Sequence, residues 1–330
     1  MTRRFLSRAA ALLLFALLSV APLIAQDQPP PDPSGLDAAS TPAPLPTREP
    51  RPAPVVSVTS ENTRLDRYFE VIPQGRTGLL RLAGTNAANS PIIEAHAELF
   101  GRRSAFYAAG DQGWFALVAA SMEQATRDDY PLVVSVSYAD GTQASLQMTI
   151  MVVLGSFIRQ NVNLPADKGF LLDIETERNE LARLESVYAG YTELRMWDET
   201  GFQLPISANL TSPFGAFRTF NGTLNTRHTG WDIRTTLGQP VRASAAGRVV
   251  FSGWLDIRGN NVIIDHGYGV FSSYSHFDEV NVRRGDTVTK GQILGLTGAT
   301  GRTSGPHFHW EMAVNGVYVD SLQFITLWMP

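Results

Sequence analysis

Short apolar or alternating runs recur along this chain from residue 55 onward, separated by turn-forming residues. Between residues 55 and 158 they include VVSVTS, LLRLAG and LVVSVSY. From residue 205 they include GRVVFSG, NNVIIDHG and HFHWEMAV. Such runs of about four to eight residues, bounded by Gly, Pro, Asn and Asp, are typical of β-strands. The pattern therefore predicts a mainly β protein.

The two β-rich stretches predict two domains of different kinds. Residues 57–160 contain the clearest hairpin signal, Asp140-Gly141 between VVSVSY and TQASLQMTI, since these residues can adopt the positive φ angles of a tight turn. Strands at this spacing predict an accessory immunoglobulin-like (Ig-like) β-sandwich domain. Residues 205–330 are rich in Gly and in short turns, which predicts a compact antiparallel β-sheet or open barrel.

One helix is predicted between these domains, from about Asp173 to Ala189, within a linker of residues 161–204. Asp173 is suited to cap its start and Gly190 to end it. The apolar residues at helical spacing are Ile174, Leu181, Leu184, Tyr188 and Tyr191. We expect this linking helix to pack between the two domains. An exposed arm that binds a partner is the alternative.

The N-terminus has the pattern of a secretory signal. Three arginines in the first eight residues precede an uncharged apolar run that ends at Ala25, which predicts a signal peptide over residues 1–25. An uncleaved membrane anchor is the alternative, but the run is short for a membrane span and Pro22 interrupts it. Residues 26–56 are Pro-rich and predict an extended linker. We therefore expect an exported protein, located in the periplasm, in the cell envelope or outside the cell, with no stable membrane anchor after cleavage.

The composition excludes several kinds of partner and site. A net charge of −4 gives no basic surface of the kind that nucleic-acid binding requires. The chain has no cysteine, so any metal must be held by histidine and carboxylate side chains. Four of its six histidines lie in three short stretches, HTGWD, SYSH and GPHFHW.

The spacing within these stretches predicts a metal site. On a strand, residues two apart point to the same face, so His307 and His309 project side by side into one cleft, with Glu311 beyond them. They can share a metal, or one can bind it while the other handles a proton. His228 and Asp232 lie four apart in a loop that enters a strand, and both can reach one point. With one histidine of the HFH pair they would supply three ligands and leave a fourth position to water, as in catalytic zinc sites. Spacing leaves open whether that histidine is His307 or His309.

Other candidate residues are interpreted from their surroundings. Alternation in VFSSYSH places Tyr274 and His276 on one face, and His276 is a candidate to hydrogen-bond a developing oxyanion or to shuttle a proton. His266 is interpreted as structural and His96 as a surface or edge-strand residue. Arg218 is predicted either to contact an acidic substrate or to stabilise a turn at the surface.

The residues around these motifs resemble a known family. SPFGAFR, RHTGWDI, DHGYGVFSSYSHF and GPHFHWEMAVNG occur in the order and with the intervening turns of the lysostaphin-type zinc endopeptidases, which cut peptidoglycan cross-bridges. The resemblance covers about residues 212–324. It implies a metallopeptidase domain that holds one Zn²⁺ per chain.

The resemblance also implies a role for each residue of the candidate site. The zinc ligands would be His228, Asp232 and His309. His307 would be the general base that acts on the zinc-bound water, and His276 would stabilise the tetrahedral intermediate.

The expected function is that of an exported zinc metalloendopeptidase, a hydrolase of the peptide cross-links of bacterial peptidoglycan in cell-wall remodelling. Its expected partners are peptidoglycan peptide stems, with regulatory envelope proteins as further candidates. One alternative is a non-catalytic regulator that activates other cell-wall hydrolases. Such regulators lack His or Asp at the key positions, whereas this chain keeps them all. Another alternative is a metal-dependent hydrolase of a different protein substrate.

Overall fold

The computed structural model describes residues 51–330. The predicted signal peptide and residues 26–50 of the predicted linker lie outside the described residues. Among residues 51–330, no helix has the length and apolar character that a membrane span requires.

The first part of the described chain contains ten strands: β1 (Val56–Ser60), β2 (Thr63–Arg67), β3 (Ile72–Pro73), β4 (Thr77–Gly84), β5 (Ile92–Leu99), β6 (Arg102–Ala105), β7 (Tyr107–Ala108), β8 (Trp114–Ala119), β9 (Arg127–Tyr138) and β10 (Gln143–Val153). They form two five-stranded sheets, ordered β1-β2-β4-β8-β7 and β3-β10-β9-β5-β6. Leu65 and Leu80 of one sheet share a buried cluster with Val134 and Ile150 of the other. Two sheets around one core form a β-sandwich, while its Ig-like connectivity stays a prediction.

The hairpin turn predicted at Asp140-Gly141 connects the two longest strands of this sandwich. Strands β9 and β10 pair in antiparallel register on either side of Asp140 and Gly141. Gly141 has φ 83°, in the left-handed region that a residue with a Cβ rarely adopts. The local sequence was therefore enough to locate this turn.

The last part of the chain forms a large antiparallel sheet with a small sheet beside it. The strands of the two sheets are β11 (Arg159–Val162), β12 (Leu210–Ser212), β13 (Phe217–Phe220), β14 (Leu224–Arg227), β15 (Trp231–Arg234), β16 (Pro240–Arg242), β17 (Gly247–Leu255), β18 (Gly259–Gly267), β19 (Val270–Val280), β20 (Thr287–Val288), β21 (Ile293–Thr297), β22 (His307–Val314) and β23 (Val317–Val319). The small sheet has the order β11-β13-β14, and the large one contains the path β12-β15-β22-β19-β18-β17-β20. The mainly β prediction is confirmed.

Helix α1 (Ile174–Tyr188) begins at Asp173, whose carboxylate accepts hydrogen bonds from the first free amides of the helix. Its buried residues are Glu180, Leu184 and Tyr188, four residues apart, which makes one narrow stripe. Leu184 and Tyr188 pack against Phe251 of the large sheet.

The burial of α1 differs from the prediction in two respects. Its buried stripe faces the large sheet rather than a gap between two domains. Ile174 and Tyr191, predicted to lie on the apolar face, are 41% and 44% exposed. Glu180 takes a place in the stripe because it is ion-paired to Arg258.

The two β-rich parts share a continuous apolar core. Tyr107 of the sandwich stacks edge-on against Trp197, and both belong to the cluster that fills the large sheet. Strand β11, at the start of the predicted linker, pairs in parallel with β13. Helix α2 (Ser321–Thr326) packs against the same core through its buried residues Phe324 and Ile325. The described residues therefore form one compact unit, and the domain borders near residues 160 and 204 stay predictions.

Candidate metal centre

Strand pairing brings the predicted site residues together. In the antiparallel pair β15 and β22, Asp232 lies opposite His309 and Arg234 lies opposite His307. Phe308, between the two histidines, is fully buried in the apolar core on the other face. Since neighbours on a strand point to opposite faces, the burial of Phe308 directs both histidines toward the same side of the sheet.

The loop that precedes β15 delivers His228 to the same point, and Gly230 makes this approach possible. His228 and Asp232 are both buried. A Cβ added to Gly230 would lie 2.3 Å from the carbonyl oxygen of Trp310 and 2.9 Å from Cε1 of His309. A side chain at this position would push the loop away from β22, so the HTGWD motif requires glycine here.

The atoms of His228, Asp232 and His309 converge on one small region. His228 Nε2 lies 3.1 Å from Asp232 Oδ1 and 3.0 Å from His309 Nδ1, and His309 Nδ1 lies 2.8 Å from Asp232 Oδ1. Among the described residues these three form a group whose ligand atoms lie within 4.8 Å of one another. Two imidazole nitrogens and a carboxylate oxygen are ligands that suit Zn²⁺.

Each of the two histidines has one ring nitrogen hydrogen-bonded to a residue outside this group of three, and this bond leaves the other ring nitrogen to bind a metal. His228 Nδ1 donates to the carbonyl oxygen of Pro213 at 2.7 Å, which leaves the lone pair on Nε2. His309 Nε2 lies 3.3 Å from Glu311 Oε1 and donates to it, which makes Nδ1 the nitrogen that can bind a metal once it is deprotonated. Nε2 of His228 and Nδ1 of His309 then both face Asp232, as expected for metal ligands whose outer nitrogen is anchored.

The electrostatics of the centre keep His228 and Asp232 in the forms that bind metal, whereas those of His309 favour its protonated form in the metal-free protein. Burial lowers the pKa of His228 to about 4, so this imidazole is neutral near pH 7. Burial raises the pKa of Asp232, but the charge of Arg218 and the neighbouring histidines outweigh burial and hold this pKa well below its usual value. Burial lowers the pKa of His309, but hydrogen bonds to Asp232 and Glu311 outweigh it and raise this pKa in the metal-free protein.

Arg218 is the partner of Asp232. Its Nη2 donates to Asp232 Oδ2 and, at 2.7 Å, to Ser212 Oγ. Oδ1 of the same carboxylate is thereby left to face the two histidines. The side chain of Arg218 is 14% exposed and pairs with a buried carboxylate, so it does not serve a surface turn, while its contact with an acidic substrate stays a prediction.

His307 and His276 lie beside the three-residue group. His307 Nδ1 donates to the Gly305 carbonyl at 2.9 Å, and its Nε2 lies 3.6 Å from Asp232 Oδ1. His276 Nδ1 donates to the Thr300 carbonyl at 2.7 Å, and the ring centres of His276 and His307 are 4.8 Å apart. Burial lowers the pKa of both rings. Each is therefore a neutral imidazole that can accept a proton on Nε2.

The backbone at His276 departs from a regular strand, which the alternation rule did not anticipate. His276 has φ 62°, and the register of β18 and β19 shifts between Asn260 and Val262. Tyr274 points into the apolar core, where its hydroxyl accepts from the Ser244 amide, whereas His276 joins the metal centre. The prediction that Tyr274 and His276 share a face is wrong, because the β-bulge directs the side chain of His276 to the opposite face of the sheet from Tyr274.

The remaining two histidines lie away from the centre. His266 is fully buried and bonds the Ala246 carbonyl through Nδ1 and Ser272 Oγ through Nε2. His96 lies on β5 at the surface and accepts from Arg103. Neither contacts the metal-binding group, in agreement with their interpretation as structural and surface residues.

A cleft of about 390 Å³ opens over the centre. Its floor includes His228, His276 and His309, and one wall is helix α1 with Leu181 and Glu185. Met122 and Glu123 of the sandwich also line it, so the first β-rich part contributes to the space that a substrate would enter.

Glu311, Arg258 and Glu180 complete the centre, and sequence reasoning missed the last two. Glu311 lies where it was predicted, because it alternates with His307 and His309 on β22 and so shares their face. Arg258 lies in the turn between β17 and β18, and Glu180 lies on α1. No local pattern links either of them to the histidine motifs.

Comparison with known proteins agrees with this geometry. Residues 226–321, which contain the three metal-binding candidates and both flanking histidines, match the profile of peptidase family M23. They form an M23 peptidase domain. The family is one of zinc metallopeptidases.

The M23 domain has relatives with named activities. It is similar to a peptidoglycan DD-endopeptidase of Vibrio cholerae, with 38% identity over 96 residues, 29% of this chain and 22% of the relative. A DD-carboxypeptidase/endopeptidase of Neisseria meningitidis is 38% identical over 127 residues, 37% of this chain and 29% of the relative. Lysostaphin of Staphylococcus simulans is 39% identical over 90 residues, 27% of this chain and 18% of the relative. The chain thus spans less than a third of the length of each.

The fold extends beyond the M23 domain. A crystal structure of a protein assigned to peptidase family M23 from Pseudomonas aeruginosa aligns with 79% of this chain and 96% of its own length, with a TM-score of 0.56 and 23% identity. At this identity the likeness shows a shared fold, and it covers more than the M23 domain.

Proposed function

We propose that this protein is an exported zinc endopeptidase that hydrolyses peptide bonds in bacterial peptidoglycan. One observation carries the proposal: the free nitrogens of His228 and His309 and one oxygen of Asp232 converge beside the neutral imidazole of His307. That arrangement supplies three ligands and an adjacent base, which is what metal-assisted hydrolysis of an amide requires. The M23 relatives named as peptidoglycan endopeptidases support the choice of substrate.

The bound metal would supply Lewis acidity, which lowers the pKa of a water molecule and polarises the scissile carbonyl. His307 accepts the proton of the attacking water on Nε2 and then delivers it to the leaving amine. Its side chain is 18% exposed, against 2% for His228 and 8% for His309, so it can exchange that proton with solvent.

His276 would stabilise the negative charge that develops on the carbonyl oxygen. Because its Nδ1 proton is directed to the Thr300 carbonyl, its Nε2 must take up a proton from solvent, through the cleft that His276 lines, before it can donate to that oxygen. Burial lowers the pKa of His276 and disfavours this form in the resting protein. Negative charge on a substrate oxygen reverses that balance, so His276 binds the transition state more strongly than the substrate.

The cross-links between peptide stems are the proposed substrate, and the envelope outside the cytoplasmic membrane is the proposed location. The basic and apolar residues before Ala25 support export, and peptidoglycan lies outside the cytoplasm. Regulatory envelope proteins remain proposed partners. A non-catalytic regulator is disfavoured, because the complete ligand set converges in this chain.

Digestion of purified sacculi tests the proposal. The protein is incubated with sacculi alone, with a chelator, and with chelator followed by added Zn²⁺, and the released fragments are identified by mass spectrometry. We expect cross-linked fragments to be cut to monomeric stems, the chelator to stop the reaction and zinc to restore it. Intact cross-links with the zinc-loaded protein, when a known endopeptidase cuts the same sacculi, would falsify the proposal.

A further inference from the structure

A chain of buried polar contacts connects helix α1 to the metal centre. Glu180 Oε1 accepts from Arg258 Nη1 at 2.8 Å. Arg258 Nε donates to Glu311 Oε2 at 2.9 Å, and its Nη2 donates to Glu311 Oε1. Glu311 Oε1 lies 3.3 Å from His309 Nε2. The guanidinium therefore bridges two carboxylates, and the second of them anchors a candidate metal ligand.

Glu180 also holds the backbone next to Arg258. Its second oxygen, Oε2, accepts from the amide of Ile257 at 2.6 Å. The carbonyl oxygen of Arg258 in turn accepts from the amide of His276 at 2.9 Å. One carboxylate on α1 thus fixes both the side chain of Arg258 and the turn that supports His276, the residue with φ 62°.

Burial makes these contacts energetically important. Glu180, Arg258 and Glu311 are 4%, 5% and 0% exposed, so each would be left as an uncompensated buried charge if its partner were removed. Arg258 stays charged in any environment, and two carboxylates share that charge. Without Glu180, Glu311 would be the one carboxylate among the described residues that still pairs with the guanidinium. Glu311 would then accept more weakly from His309, and the imidazole would become a weaker ligand.

We infer that Glu180 is a positioning residue of the metal site, which acts through Arg258 and Glu311 to orient His309 and through the Ile257–Arg258 backbone to support His276. The inference rests on the proposed zinc site. It assigns a part of that site to helix α1, whose sequence precedes the M23 domain at residues 226–321.

The test is the zinc affinity of the full chain, measured by competition with a chromophoric chelator. Glu180→Gln is expected to weaken zinc binding about tenfold, and Glu311→Gln by about 10–100-fold, the range found for partners of metal-bound histidines. Glu175→Gln is the matched control, because Glu175 lies on the same helix and pairs with Arg178 at the surface. It should bind zinc as the wild type does. The absorption spectrum of the Co²⁺-loaded protein should shift for Glu180→Gln and not for Glu175→Gln.

The thermal midpoint of each metal-free variant separates positioning from a general loss of stability. A folded Glu180→Gln protein with wild-type zinc affinity and an unchanged Co²⁺ spectrum overturns the inference, even if it is less stable. If Glu180→Gln does not fold, Glu180→Asp replaces it, since it keeps the charge but shortens the reach to Arg258, and it is judged by the same criterion. A wild-type chain that binds no zinc would instead defeat the proposed function and the inference together.

Discussion

Asp232 and His309 face each other across the strand pair β15 and β22, with 2.8 Å between Asp232 Oδ1 and His309 Nδ1. Strand pairing, rather than a flexible loop, sets this distance. A slip of one residue in the register would turn His309 to the opposite face of the sheet. The apolar packing of Phe308 and Trp310 opposes such a slip, so the core of the large sheet also maintains the geometry of the site.

Substitutions at the two histidines of β22 should have different consequences. His309→Ala removes a proposed ligand and should abolish zinc binding together with activity. His307→Ala should retain one zinc per chain but lower kcat by about 10²–10⁴-fold, because only proton transfer is lost. Metal content by atomic absorption and turnover of a cross-linked peptide distinguish the two. Loss of zinc from His307→Ala, with His309→Ala retaining it, would show that the roles are exchanged.

Replacement of Arg218 should weaken the metal site without touching a ligand. In Arg218→Gln the Asp232 carboxylate loses its charged partner, so its pKa rises toward the usual range and its orientation is less fixed. We expect zinc affinity to fall by roughly 10–100-fold. The exposed Arg248 on β17 supplies the control, since Arg248→Gln leaves the centre intact. Equal zinc affinity in both variants would contradict the role given to Arg218.

An alanine at position 230 should damage both folding and metal binding. The added Cβ would lie 2.3 Å from the Trp310 carbonyl oxygen, which belongs to a paired strand and cannot move aside. Overpacking of this kind costs about 1–3 kcal/mol of unfolding free energy. Gly169→Ala is the control, since its Cβ would meet no atom within 4 Å. Urea denaturation and zinc content of the two variants check the prediction, which fails if they behave alike.

His266 should make the protein sensitive to acid independently of the metal. Burial lowers its pKa from 6.5 to about 4, so between these values the unfolded chain binds a proton that the folded chain does not. Its contribution to stability is complete above pH 6.5 and is lost as the pH falls toward 4, by up to about 3 kcal/mol.

Urea denaturation in the presence of a chelator, from pH 7.5 to 4.5, tests this dependence. The unfolding free energy of His266→Gln should fall less steeply with acidification than that of the wild type. His96→Gln, at the surface, should follow the wild-type curve, and any effect of His228 is common to all three proteins. Parallel curves for the wild type and His266→Gln would disprove the assignment.

Local patterns predicted the parts of this structure that local physics determines. The Asp140-Gly141 turn, the cap at Asp173 and the shared face of His307 and His309 each follow from a few neighbouring residues. The convergence of HTGWD with HFH followed from the chemistry of the side chains and from family resemblance.

The features that sequence reasoning missed depend on contacts between distant segments. The bulge that reverses His276 arises from the register of β18 against β19, which alternation within one strand does not reveal. Glu180 resembled an ordinary polar residue on a helix, and its burial depends on Arg258, 78 residues later in the chain. Arg218 likewise resembled a surface residue until its pairing with Asp232 was known.

The pairing of β11 with β13 limits which segments of this protein could be transferred to another chain with the metal centre intact. Gln160 on β11 accepts a hydrogen bond from Ser212, and Ser212 accepts one from Arg218, the partner of Asp232. A strand that precedes helix α1 in the sequence therefore supports this proposed metal ligand. A gene fusion that carried only residues 226–321 would leave behind this strand, the helix and Arg218 itself. The smallest transferable unit therefore begins at or before β11, and a gene fusion that moved the M23 domain to another protein would have to include the segment that precedes it.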